Sequence, residues 1–314
     1  VTAPGGPGAV GAPEARAIRV LRRDDPVFPR SLLTVQSPPE LLYARGDVTL
    51  LAGPLVAIIG SRTPTTYGAR VAYQAAQAAA RAGLVVVSGM ARGLDTRAHR
   101  GALDAGGKTI AVLGSGVDVP YPTSNRDLYA DVLASGLLLS EEEPGANPRR
   151  GSFPRRNRLI AGLAGCLLVV EGKAAGGTSN TAGHMLAAGK PIVAVPGRIE
   201  DEVAEGPNQL IRDGAGVYLG PEDLLARFGL HWDHVVERER RQEAAQLDAF
   251  LAHSPELLRA EAAVFDLLAA EPLHVDALAA KTALDAGTLL AALSSLELKG
   301  LAVQLPGKRF CLAA

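Results

Sequence analysis

Val56-Ala57-Ile58-Ile59-Gly60-Ser61-Arg62 sets the pattern by which the rest of the chain is read. Four apolar residues with no polar alternation describe a strand buried on both faces, and the glycine that ends them begins a tight turn. The stretch from Tyr67 to Arg81 then reads as an Ala-rich helix. The unit recurs as strand Leu84–Val87 with helix Asp95–Ala105, strand Thr109–Leu113 with helix Asn125–Ala134, and strand Leu137–Leu139. After an arginine run come strand Cys166–Val170, helix Thr178–Ala188 and strand Pro191–Val195. Continuous apolar strands alternating with helices predict an α/β fold, a parallel sheet with helices on both faces. Such sheets hold ligands in the crevice at the carboxyl ends of their strands, so the chemistry is sought in the loops there.

Around this core the chain divides further. Residues 1–17 are Ala/Gly/Pro-rich and read as a disordered tail. Residues 18–53, dense in proline, read as a strap packing on the domain at 54–230. Two short helices are expected between Gly206 and Leu230, around Gly214 and Tyr218, and a charged linker at 231–254. Residues 255–314 give helices Leu257–Ala270, Val275–Ala283 and Asp285–Lys299, then strands Ala302–Leu305 and Arg309–Leu312, the outline of a small C-terminal winged helix. Asp285 is expected to cap the third helix, and Leu289, Leu290, Leu293 and Leu296 to form its apolar face.

The 314 residues are 47% hydrophobic and 21% charged, with a formal net charge of -1. No apolar stretch has the length of a membrane span and no signal peptide is visible. Cys166 and Cys311 lack CxxC spacing, so neither zinc nor a disulfide is implied, and a reducing cytoplasm is the expected compartment. The first residue is Val1, which leaves room for a preceding native segment. Any nucleic-acid binding must come from a local basic groove on a near-neutral body.

The strand-end loops carry such a groove. Gly60-Ser61-Arg62 is a glycine turn leading to a helix, a phosphate-type element with a cation beside it. It is not G-x-G-x-x-G, and the second strand ends in Ser88-Gly89 instead of a ribose-binding acid, which argues against NAD. Gly89, Arg92 and Gly93 repeat the arrangement. Asp95 fits helix capping as well as acid–base work, and His99 reads as structural. Gly114-Ser115-Gly116 is a lone GxG. Glu141, Glu142 and Glu143 lack companions at metal-ligand spacing and read as structural groups or partners for arginines. Lys173, Gly177 and Thr178 open another helix suited to a phosphate. The run Arg149-Arg150-Gly151-Ser152-Phe153-Pro154-Arg155-Arg156-Asn157-Arg158 places five arginines and an aromatic in ten residues. A solvated basic turn is the plainer reading, but the interleaved Phe153 is how sequence-tolerant single-strand binding is built. A polyanion spread over several loops fits this rim better than one mononucleotide.

The collinear series Val56–Arg62, Ser88–Asp95, Ala111–Asp118, Phe153–Gly162 and Ala194–Gly197 closely resembles the DNA-processing protein A (DprA, or Smf) family, over roughly Phe28 to Phe228. The resemblance implies an extended Rossmann-like core and a homodimer that binds single-stranded DNA during natural transformation, protects it and loads a RecA-type recombinase. It carries phosphate contacts onto Gly60, Ser61, Arg62 and Arg150, and base stacking onto Phe153. The DNA-binding set expected from residues and resemblance together adds Gly89, Arg92, Gly93, Arg156, Asn157, Arg158, Lys173, Gly177 and Thr178. A family N-terminal sterile-alpha-motif-like domain is expected to be absent or reduced to the strap. No catalytic residue, metal or cofactor is expected.

The competing reading is a nucleotide phosphoribohydrolase of related core, whose Gly-Gly-x-Gly-Thr-x-x-Glu loop supplies an acid. Here that position reads Thr181, and a hydroxyl cannot stabilise the developing oxocarbenium, so no hydrolysis is expected. The third winged-helix helix offers Ala, Leu and Ser with one Lys299, which favours protein contact or stability over duplex reading.

Overall fold

Each apolar run becomes a strand in the computed structural model, which describes residues 17–252 and 255–313, without the side chains of 244, 247–252 and 255–257. The tail expected at 1–17 lies outside the described residues but for position 17. In chain order the first part comprises β1 (Arg19–Arg22), β2 (Leu41–Gly46), β3 (Leu55–Ile59), α1 (Thr66–Arg81), β4 (Val85–Ser88), α2 (Leu94–Asp104), β5 (Thr109–Leu113) and α3 (Arg126–Ser135). It continues with β6 (Leu137–Ser140), α4 (Ser152–Leu163), β7 (Cys166–Val169), α5 (Gly177–Ala187), β8 (Ile192–Ala194), α6 (Glu205–Arg212), β9 (Gly216–Val217) and α7 (Pro221–Leu225).

These strands form one nine-stranded sheet in the order β1-β2-β6-β5-β4-β3-β7-β8-β9. From β6 to β9 every neighbouring pair is parallel. The strands β3 to β8 are buried throughout, because helices cover both faces and leave no side to be polar. Strand order runs outward from β3 to β6 on one side and from β7 to β9 on the other. The reversal between β3 and β7 leaves a crevice at their carboxyl ends.

The strap is part of this sheet. β1 pairs antiparallel with β2, and β2 with β6, so residues 19–46 extend the sheet. Leu21, Phe28 and Leu32 join the main core alongside Leu159, Ile160 and Leu163 of α4. A Cβ on Gly162 would lie 2.5 Å from Val35 and 2.6 Å from Leu32, so the strap rests directly on α4. The two short helices expected between Gly206 and Leu230, around Gly214 and Tyr218, form as α6 and α7. Gly216 and Val217 pair with β8 as the edge strand, flanked by α6 and α7.

The chain divides into two compact units between Trp232 and Asp233. The linker expected at 231–254 is helical over α8 (Trp232–Ala252). The second unit further holds α9 (Pro255–Leu268), β10 (Leu273–His274), α10 (Val275–Thr282), α11 (Ala286–Leu298), β11 (Ala302–Leu305) and β12 (Arg309–Leu312), with sheet order β10-β12-β11. Three helices and a hairpin make a winged helix, with β10 as a third, unanticipated strand. Asp285 caps α11 by accepting from the Gly287 and Thr288 amides at 2.9 and 3.0 Å. Leu289, Leu293 and Leu296 are buried, whereas Leu290 is 54% exposed and not part of the core face expected for it, since it lies one position round the helix from Leu289. Among the described residues no single helix is long and apolar enough to cross a membrane.

Candidate functional site

The crevice at the β3/β7 reversal is an open cleft of about 650 Å³. Its walls are the turn after β3 (Gly60, Ser61, Arg62), the start of α4 with the residues before it (Arg150, Phe153, Asn157), and the loop from β7 into α5 (Gly172, Lys173, Gly176, Gly177, Thr178). A second cleft of about 380 Å³ lies beside it over β4 and β5, lined by Gly89, Met90, Arg92, Leu113, Ser115, Pro122 and Thr123. Arg62, Ala91, Tyr121, Phe153 and Arg156 border both. The Arg62 guanidinium carbon sits 5.4 Å from the Phe153 ring centre, and the Tyr121 ring centre 5.7 Å from it at an interplanar angle of 33°. Arg62, Arg92 and Arg150 are exposed, and among the described residues none meets a carboxylate.

Local chemistry explains how the turns are held. After β3 the backbone passes so close to its neighbours that a Cβ on Gly60 would lie 2.2 Å from Leu94 and 2.7 Å from the Glu171 carbonyl. Gly93, at φ +82°, lets the next loop lie on the Ser61 carbonyl, which accepts from the Leu94 amide at 3.1 Å. Buried Glu171 accepts from the Thr65 amide at 3.0 Å and from its hydroxyl, and a Cβ on Gly68 would strike its carboxyl carbon at 2.2 Å. The positive end of α1 is therefore matched by an internal carboxylate, not left for a phosphate as the turn's sequence suggests. The start of α5 differs. Gly176 stands at its N-cap and no side chain caps it.

The loop after β4 rests on a buried polar floor. Asp95 accepts from the Gly89 and Ala91 amides at 3.1 and 3.2 Å, so it braces this loop and is not the cap of its own helix. Burial raises its pKa, while Arg156 beside it opposes the rise. His99 is wholly buried, and burial lowers its pKa to about 3, with Arg156 adding to the effect. The Thr109 hydroxyl donates to the Val86 carbonyl at 2.7 Å and so accepts from His99 Nδ1 at 2.7 Å. This leaves Nε2 to accept from the Met90 amide at 3.3 Å, consistent with the structural role read for it. Asn125 Nδ2 reaches the Met90 carbonyl and the Thr96 hydroxyl, each at 2.9 Å.

The arginine run does not act as one basic patch. Arg156 is 6% exposed, and its Nη1 donates to the carbonyls of Gly89, at 2.6 Å, and of Val112. Burial lowers its pKa to about 10, though Asp95 opposes this and the charge is retained at neutral pH. Arg158, expected to face a phosphate, instead places Nη2 2.7 Å from both Glu141 oxygens. Asn157 donates to the Gly177 carbonyl and the Asn180 side chain at 3.2 Å, supporting the start of α5. Arg155 pairs with Glu142. Residues 156 to 163 are buried, with Arg156 held on the carbonyls of Gly89 and Val112, Arg158 on Glu141, and Gly162 under Leu32 and Val35 of the strap. Lys173 pairs with Glu202 with both side chains exposed, an arrangement weak enough to exchange for another anion. At the far end of α4, Lys190 Nζ donates to the carbonyls of Ala161, Gly162 and Ala164 at 3.0, 2.6 and 2.9 Å and ties down the helix terminus.

The sequence reading passed over Tyr121, Glu171 and Lys190. A single tyrosine between prolines, an acid after a strand and a lysine after a helix carry no spacing signal of their own. Thr181 is 2% exposed and donates to the Gly177 carbonyl at 3.1 Å.

Fold and site together define an α/β protein whose switch-point cleft carries exposed cations and aromatic rings, joined in sequence to a winged helix. The chain belongs to the DNA recombination-mediator protein A family, whose model matches residues 19–229, and a DprA winged-helix model matches residues 249–308. It is 36% identical over 316 residues to protein Smf of Synechocystis, covering 92% of this chain and 79% of that one. To DNA processing protein DprA of Streptococcus pneumoniae it is 40% identical over 204 residues, 65% of this chain and 72% of the relative. The solved structure of the S. pneumoniae protein superposes with a TM-score of 0.65 at 38% identity, covering 69% of this chain and 77% of that one. A Helicobacter pylori DNA processing protein A, solved to describe its single-stranded DNA binding mode, superposes with a TM-score of 0.62 at 31% identity, covering 68% and 96%.

Proposed function

We propose that this protein binds single-stranded DNA without regard to sequence, protects it during natural transformation and delivers it to a RecA-type recombinase, acting as a homodimer in the cytoplasm. The observation that carries the reading is the open cleft lined by Arg62, Arg150 and Phe153, in which neither arginine is engaged by a carboxylate among the described residues and Arg62 lies over the Phe153 ring. Membership of a family of DNA-processing proteins and the single-strand binding named for the H. pylori relative support it.

Arg62, Arg92 and Arg150 take successive phosphates, together with the uncapped amides at the start of α5, around Gly177 and Thr178. Phe153 offers a stacking face that every base can use. Arg156, Asn157 and Arg158 serve from beneath by fixing the loops that carry these groups. No bond is made or broken. Thr181 holds a backbone carbonyl where a hydrolase would need a carboxylate, so release of a base from a nucleoside monophosphate should not exceed the rate without protein. The direct test is fluorescence anisotropy with oligo-dT and with duplex of equal length at two salt concentrations. Preference for the single strand, weakening steeply with salt, is expected; equal binding of both, or of neither, would refute the reading.

A further inference from the structure

Beyond the wall it shares with the first cleft, the second cleft gives the proposed binding only the cation Arg92. Its lining mixes arginines and hydroxyl residues with an apolar part, Met90, Leu113, Tyr121, Pro122 and Phe153, around about 380 Å³. That volume lies at the small end for organic ligands and suits a flat heterocycle. Tyr121 is 43% exposed beside Phe153, and among the described residues its hydroxyl makes no hydrogen bond. An aromatic ring left half in water next to another ring is a poor core residue and a good stacking platform. Arg62, meanwhile, already lies over the Phe153 ring, so a base reaching Phe153 competes with a guanidinium for that surface, whereas among the described residues no cation covers Tyr121 in this way.

We propose that the second cleft accepts one unstacked nucleobase of the bound strand, with Tyr121 as its aromatic platform. The strand then crosses the shared wall of Arg62 and Phe153, its backbone following Arg150, Arg62 and Arg92 from the first cleft to the second. The inference rests on the single-strand reading and adds a base subsite to it. Thr63 and Thr123 are on its lining, and a threonine hydroxyl both donates and accepts by rotation. They can satisfy the edge of any base, so the subsite demands a base without choosing which.

The test compares Tyr121→Ala with the parent chain on oligo-dT and on an oligomer of equal length and charge whose sugars carry no bases. Loss of one stacked base weakens oligo-dT binding about 5-fold or more, while binding to the abasic oligomer stays unchanged. Tyr121→Phe, which keeps the ring, should bind oligo-dT like the parent. An unchanged oligo-dT affinity in Tyr121→Ala, or an equal loss on both oligomers, overturns the inference while leaving the single-strand reading intact. A parent chain that binds neither oligomer removes both. Matching thermal unfolding of the three proteins shows that the exposed ring is not needed for folding.

Discussion

Two arginines eight positions apart in the same run should fail in opposite ways. Arg158 is 8% exposed at its side chain, and its Nη2 is shared by both oxygens of Glu141. Breaking a fully buried pair costs about 3–5 kcal/mol. Glu141 retains 23% of its exposure and has Arg155 at 3.8 Å, while Arg158 Nη1 has no partner to lose. Arg158→Met should therefore cost about 1–3 kcal/mol, which for a domain of this size lowers the unfolding midpoint by about 2–4 °C for each kcal/mol. It should leave the salt dependence of DNA binding as it was. Arg150 is exposed and meets no carboxylate among the described residues, so Arg150→Met should stay within about 0.5 kcal/mol in stability. It should flatten the plot of log affinity against log salt by about 0.7, the share of one phosphate contact on a single strand. Urea unfolding and anisotropy titrations over a salt series measure both quantities on both variants. A flattened slope in Arg158→Met at unchanged stability, or a destabilised Arg150→Met with its slope intact, would mean that the assignment of inner and outer arginines is wrong.

Phe153→Ala should weaken oligo-dT binding by about 1–3 kcal/mol, toward the lower figure because Arg62 already occupies part of the ring, and should leave the salt slope unchanged. Gly68→Ala drives a methyl into the Glu171 carboxyl and should destabilise the fold by about 1–3 kcal/mol, read as a lower urea midpoint. His99 stays neutral in the folded state down to about pH 3, while in the unfolded chain it takes a proton below about 6.5. Its contribution to stability is present above that value and falls by up to about 1.4 kcal/mol per pH unit on acidification. Asp95, whose pKa is raised by burial, works in the opposite sense, so the His99 part is isolated as the difference between the parent chain and His99→Gln from pH 7 to pH 5. An identical pH dependence in both would show that the imidazole is not held neutral.

The central sheet was legible because each strand from β3 to β8 is buried on both faces, and such strands announce themselves as unbroken apolar runs. β1, β2 and β9 were not. β1 and β9 are the edge strands and β2 joins β1 to the parallel part; at four, two and six residues none has the unbroken apolar run of the central strands. Gly60, Arg62, Arg150 and Phe153 were found from turn chemistry and the arginine run, and the fold brings them to one cleft. The inward turn of Arg156 and Arg158 could not be read locally. It depends on partners from distant parts of the sheet, the Gly89 and Val112 carbonyls for Arg156 and the acid Glu141 for Arg158. Tyr121 escaped for a related reason, since an aromatic becomes a platform only when folding leaves it beside a second ring.

The first cleft draws its walls from the sixties, the nineties, the one-fifties and the one-seventies of the chain. No local segment can present that surface alone, so an occupant engages only molecules folded across the whole sheet. Occupancy and cohesion are thereby linked by mass action, and a saturating strand at a hundred times its dissociation constant adds about 2.7 kcal/mol to the cost of opening the domain. On the proposed function, a bound strand would serve as a removable staple across the two sides of this one sheet.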